Sequence, residues 1–228
     1  MTERRVRITL VAAAILSTVL SSSPFGAGPT AAEVAGGVQK KYDAVKDFSA
    51  DFTHTYHGGA LKKQQITERG KVLIKKPGKM RWEYAPPENN VFVSDGAKIY
   101  AYVPADHQVT VTAVPPEDDA TTPALFLAGK GNLSRDFTVS LVEPAAGMPP
   151  GTLALKLVPK KAQPDYDWLV LDVEPGTYRL RGIVWTDAQG GTSTYSFTNM
   201  KENVGLADKE FDFKAPRGVD VVTDSSRR

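Results

Sequence analysis

From Asp47 onward the apolar residues recur at every second position, so that Phe48, Ala50, Phe52, His54 and Tyr56 share one face of an extended segment while Ser49, Asp51, Thr53, Thr55 and His57 share the other. That period fits a half-buried strand and no helix, and it recurs. Strands are predicted over Ile66–Lys75, Met80–Tyr84, Val91–Ser94, Ile99–Val103 and Gln108–Thr112, separated by Gly58-Gly59, Lys76-Pro77-Gly78, Ala85-Pro86-Pro87, Asp95-Gly96 and Pro104-Ala105-Asp106. Every separator carries turn chemistry, which marks successive antiparallel hairpins. Five more strands follow, near Phe137–Val142, Leu153–Pro159, Trp168–Val173, Tyr178–Trp185 and Thr192–Asn199, making eleven. Two segments break the rule. Val34, Val38, Tyr42 and Val45 give Glu33–Lys46 one apolar helical face, and Thr122-Pro123 followed by Gly129 brackets one or two helical turns around Leu125, Phe126 and Leu127. The expected fold class is all-β with short helices in one domain, residues 33–228.

The chain opens with Arg4, Arg5 and Arg7, the apolar run Ile8–Leu20 and small residues up to Ala32. Thirteen apolar residues are too few for a membrane-spanning helix, which needs about 20, so residues 1–32 read as an export signal, with Ala27 as a second cleavage position. Its removal takes 28 basic and 26 acidic residues to 25 of each. The remainder is formally neutral, without the basic footprint of a nucleic-acid binder, and the pairs Lys62-Lys63, Lys75-Lys76 and Lys160-Lys161 read as solvated strand ends. Cysteine is absent, which excludes disulfides, thiolate metal sites, cysteine nucleophiles and a lipidated N-terminal cysteine. His54 and His57 stand an odd number of residues apart on one strand and so face opposite ways; no metal site or cofactor is expected. Glu117-Asp118-Asp119 reads as a solvated charge run, and no nucleophile elbow, zincin or phosphate-loop pattern is present; an enzyme is not expected.

In the first six strands Phe48, Phe52, Tyr56, Val72, Ile74, Met80, Trp82 and Tyr84 fall on one face, and Asp51, Lys71, Lys75, Arg81 and Glu83 on the other. Filled core would explain an apolar face by itself. Eleven strands, however, make a wider barrel than the roughly eight that side chains alone can fill, and the two short helices could cover an open mouth. A curved sheet with an apolar concavity suits an apolar ligand.

The runs Lys75-Lys76-Pro77-Gly78-Lys79-Met80-Arg81-Trp82-Glu83-Tyr84 and Val93-Ser94-Asp95-Gly96-Ala97-Lys98-Ile99-Tyr100-Ala101-Tyr102-Val103-Pro104 resemble the periplasmic outer-membrane lipoprotein carrier family, LolA. So do Thr122-Pro123, Leu157-Val158-Pro159-Lys160 and Phe211–Val221, in the same order. The resemblance implies a curved, incomplete antiparallel β-barrel of about 11 strands covered by an α-helical lid, with a hydrophobic cavity between. It implies a monomeric, non-enzymatic chaperone that takes acylated lipoproteins from an inner-membrane ABC transporter to the outer-membrane receptor LolB or its equivalent. Trp82 matches a cavity-lining tryptophan, Met80 the position of a phenylalanine near the mouth, and Leu125, Phe126 and Leu127 the lid segment. Lys76 stands where the family has an arginine that hydrogen-bonds the lid; it keeps the charge and lacks the planar five-donor fork. Phe92 joins the candidate cavity residues, though Val91-Phe92-Val93 is apolar on both sides and leaves open which of them faces inward. No additional strand is expected in the short polar tail after Val222. A periplasmic lipid- or lipoprotein-sensing regulator on the same fold is the alternative reading.

Overall fold

The structure is a computed structural model that describes residues 28–58, 65–114, 127–129, 132–146, 148–163, 166–187 and 190–223. Met1–Ala27, Lys62-Lys63, Glu117-Asp118-Asp119, Leu125 and Phe126 lie outside the described residues. Helix α1 (Ala31–Ala44) comes first. Thr30 caps it: the Thr30 hydroxyl accepts from the Glu33 amide, and the Glu33 carboxylate accepts from the Thr30 amide at 2.8 Å. Two orphan donors are thereby satisfied at once. The helix starts two residues before the expected boundary, so the predicted signal segment 1–32 overlaps its cap and first turn.

Strands β1 (Asp47–His57), β2 (Gln65–Lys75), β3 (Lys79–Tyr84), β4 (Val91–Asp95), β5 (Lys98–Val103) and β6 (Gln108–Ala113) form an antiparallel meander. A second meander runs through β7 (Phe137–Val142), β8 (Leu153–Pro159), β9 (Leu169–Val173), β10 (Leu180–Thr186) and β11 (Thr192–Glu202). Antiparallel pairing of β1 with β11 joins the two. All eleven expected strands are present. A twelfth, β12 (Asp220–Thr223), lies parallel to β6 at the sheet's edge, contrary to the expectation of no C-terminal strand; four exposed residues carry no burial pattern to betray it. The order is β12-β6-β5-β4-β3-β2-β1-β11-β10-β9-β8-β7, one open sheet.

The sheet is strongly curved. Three inter-strand steps of ~4.8 Å separate β3 from β11, roughly 14 Å along a flat sheet, yet the Trp82 and Tyr195 rings meet at 5.4 Å. Only a concave surface brings them together. On the convex side the chain after β11 runs back as a strap. Asp47 accepts from the Val204 amide at 2.7 Å, Lys75 and Lys79 reach Asp208 at 2.7 and 3.0 Å, and Phe211 is buried against the sheet. Phe213 then stacks on Tyr100 at 5.3 Å, and the strap ends as β12.

Candidate functional site

Register assigns each inward side chain to a row across the concave face. Phe48, Ile74 and Met80 form one row with Ser94 and Ile99; Ala50, Val72, Trp82 and Phe92 form the next; Phe52, Gly70 and Tyr84 the third, beside Phe197. Phe92 pairs with Trp82 and so faces inward, while Val93 pairs with Arg81 and is buried on the convex side. That settles the strand left open by the sequence. Gly70 has a steric reason: a Cβ there would lie within 2.7 Å of the Phe52 ring, so the missing side chain lets Phe52 cross β2. Phe52 meets Trp82 at 5.2 Å, Tyr84 at 5.0 Å and Tyr195 at 5.6 Å, and is the hub of an aromatic cluster.

Phe48, Phe52, Val72, Ile74, Met80 and Trp82 are buried in one core, with Tyr84 and Phe92 packed against it. Tyr56 stands apart from that core, two rows beyond Phe52, where its hydroxyl donates to Asp187 at 3.0 Å. The second meander contributes half the concavity through Leu155, Leu157, Leu169, Leu171, Leu180 and Ile183. None of them is assigned from the sequence, because Ala154 and Val158 make the other face of β8 apolar as well and blur the alternation.

Between Phe52 and Tyr56 the sequence pattern hides a polar pair. His54 is opposite Glu68, its Nδ1 2.8 Å from the Glu68 carboxylate, and its ring stacks on Tyr195 at 4.1 Å. Burial lowers the His54 pKa, opposed by the hydrogen bond to Glu68. The hydroxyls of Tyr84 and Tyr195 share a hydrogen bond at 2.6 Å, and burial pushes Tyr84 up to about 12 and Tyr195 well above its usual value. His57 is exposed on the opposite side, as the odd spacing requires. Among the described residues no group of three or more histidine or acidic side chains is arranged to hold a metal ion.

The cover over this face is α1 with the segment 127–129 and the helical turn Leu133–Asp136. Val34, Ala35 and Val38 turn inward, the Tyr42 hydroxyl accepts from the Leu180 amide at 3.1 Å, and Gln39 accepts from the Leu133 amide at 2.9 Å. Lys76 ties three elements together. Its Nζ donates to the Tyr42 carbonyl, in the last turn of α1, where helix carbonyls lack partners. Its stem packs against Gly129, and the Gly78 amide, two residues on, donates to the Ala128 carbonyl at 3.0 Å. Burial lowers the Lys76 pKa, with Asp43 opposing. Leu127 is buried in the same core. Beneath the cover a cavity of about 190 Å³ opens between α1, Lys76, Leu127, Leu171 and Leu180. Small-molecule pockets usually measure ~300–1,000 Å³, so this face is nearly closed upon itself.

The model of the family described as outer membrane lipoprotein carrier protein LolA matches residues 43–214, from the end of α1 into the strap. An outer-membrane lipoprotein carrier protein of Methylococcus capsulatus is 30% identical over 80% of this chain and 84% of its own. One from Chromohalobacter salexigens is 32% identical over 85% and 90%. Among solved structures, an uncharacterized conserved protein from Thermus thermophilus aligns over 85% of this chain and 99% of its own with a TM-score of 0.50 at 14% identity, a likeness of fold alone. Matched along three quarters of its length, with Lys76, the concave rows of both meanders and the start of the strap inside the match, the chain belongs to the outer membrane lipoprotein carrier protein family, LolA.

Proposed function

We propose that this protein is a periplasmic carrier that holds the acyl chains of lipoproteins in its concavity and carries them from an inner-membrane ABC transporter to an outer-membrane receptor of the LolB type. The observation that carries the reading is the run of apolar rows spanning both meanders under a cover held to the sheet by a few polar contacts, Lys76 among them. Each buried CH₂ contributes ~0.8 kcal/mol, so acyl chains need shielding to cross water. The concavity packs Phe52, Trp82, Tyr195 and Phe197 on one another, and a lipid must displace those contacts. Net affinity is then the difference of two burial terms, which keeps release feasible. Loading enlarges the 190 Å³ cavity by lifting α1 and the segment 127–129 from the sheet, with Lys76 as the latch and Leu127, Leu125 and Phe126 as the lid residues that the resemblance implies. Phe48, Phe52, Val72, Ile74, Met80, Trp82, Tyr84 and Phe92 then line the chains, with Tyr56 at the rim.

Export precedes this work, and Thr30 argues for cleavage after Ala27: a cut after Ala32 would remove the helix cap. N-terminal sequencing of the secreted protein should read Gly28. Adding protein from Gly28 to Arg228 to spheroplasts should release lipoproteins into the supernatant as a soluble one-to-one complex. Absence of release, with a fluorescent fatty acid still bound, would sink the carrier reading.

A further inference from the structure

Trp82 is 7% exposed, and its indole Nε1 has no hydrogen-bond partner among the described residues. Native proteins rarely leave a buried donor unmatched, and where they do a reason is required. A second donor lies in the same aromatic cluster. Tyr84 and Tyr195 carry one hydroxyl proton each, but the single bond between them uses only one, and the other has no acceptor among the described residues. The Trp82 and Tyr195 rings are 5.4 Å apart, so two spare donors sit together where the apolar rows meet the His54–Glu68 pair. The rows that carry them contain no lysine or arginine, and the Glu68 carboxylate opposite His54 acts on both tyrosines.

We propose that the Trp82 indole N–H and the Tyr84–Tyr195 hydroxyl pair form a polar subsite that receives an acyl carbonyl oxygen of an uncharged glyceride, the group from which the buried chains extend. The inference rests on the carrier reading and adds to it where the polar end of the lipid is held. The partner must accept hydrogen bonds, because both spare groups donate. It must be attached to apolar chains, because on the side of β2 and β3 the rows of Ala50, Val72 and Phe92 and of Phe48, Ile74 and Met80 are predominantly apolar. A neutral carbonyl fits and an anionic phosphate does not, since Glu68 repels negative charge and no cation in these rows offsets it.

The test compares lipids of equal chain length, delivered from cyclodextrin, as competitors of a fluorescent acyl probe. Dipalmitoylglycerol has ester carbonyls; dihexadecylglycerol has the same chains with ether links; dipalmitoylphosphatidylglycerol adds a phosphate to the same esters. The wild-type protein should prefer ester to ether about tenfold, near the upper end for one well-placed hydrogen bond. Trp82→Phe, which keeps a ring and loses the donor, should reduce that preference severalfold, as should Tyr84→Phe combined with Tyr195→Phe, which removes both hydroxyl protons. Equal wild-type affinity for ester and ether would overturn the subsite and leave the carrier standing, whatever the variants do. Phospholipid binding equal to that of the neutral glyceride would overturn the assignment to an uncharged glyceride. Failure of all three lipids to displace the probe would overturn the carrier reading as well.

Discussion

Asp172 lies on β9 between Ala154 and Gly182, with no accessible surface, and neither carboxylate oxygen completes a hydrogen bond among the described residues. Burial raises its pKa from an ordinary 3.8 to about 6, while the neighbouring Ala145 amide pulls the other way. Between those two values the folded state therefore holds a proton that the unfolded chain has lost. That contribution to stability is complete below pH 3.8 and disappears as pH rises through about 6. In urea titrations this group should make the protein about 2 kcal/mol less stable at pH 8 than at pH 4, and Asp172→Asn should remove that part of the slope. The Leu-Val-Leu-Asp-Val run reads as a buried strand, but nothing local announces that a segment carrying Met148 folds over Gly182 and shuts Asp172 from water. Lys76 was legible as a position and not as a geometry: the contact with the Tyr42 carbonyl depends on a helix some thirty residues upstream. Lys76→Met keeps the stem against Gly129 and loses the donated bond, so acyl-probe exchange measured by stopped flow should quicken several-fold, with ~1 kcal/mol of stability lost.

At the scale of elements, α1 shows how one sequence serves two demands. Gly36 and Gly37 are adjacent in its second turn; a Cβ at Gly36 meets nothing within 4 Å, whereas one at Gly37 would strike the Tyr178 ring, with Cδ2 2.7 Å away. Gly36→Ala should stabilise the protein by about 0.8 kcal/mol through helix propensity. Gly37→Ala should destabilise it and speed probe exchange, because the helix must move off β10's approach to seat the methyl; thermal melts of the two variants should shift in opposite directions. The strap has a similar dependence. Phe211→Ala should cost ~3 kcal/mol, as for other buried phenylalanines, and free Phe213 and β12 from the convex face. Periodicity, aided by turn residues, predicted the inward face of α1 and all eleven long strands, because most of them, β1 above all, turn one side to the core, while β4 and β9, apolar on both sides, were marked by the turns that bound them. It missed β12, whose only partner is β6 and whose four residues are exposed on both sides. It missed the His54–Glu68 pair because a period of two reports which face a residue takes and not what stands opposite it.

For the whole molecule, the open sheet divides its labour by face. Aromatic and aliphatic rows occupy the concave side, while the strap's ion pairs and Phe211 brace the convex side, so the braced side can stay rigid while the cover moves. The central pairing of that sheet has a further consequence, in the order of events that produces the fold. β1 begins at Asp47, and its partner β11 ends at Glu202, so the seam that joins the two meanders closes only when nearly the whole chain is present. Pairings this distant in sequence fold slowly, in ~milliseconds to seconds. A polypeptide that must be threaded through a narrow pore gains from such a delay: its first meander has no second half to close upon until the passage is almost complete.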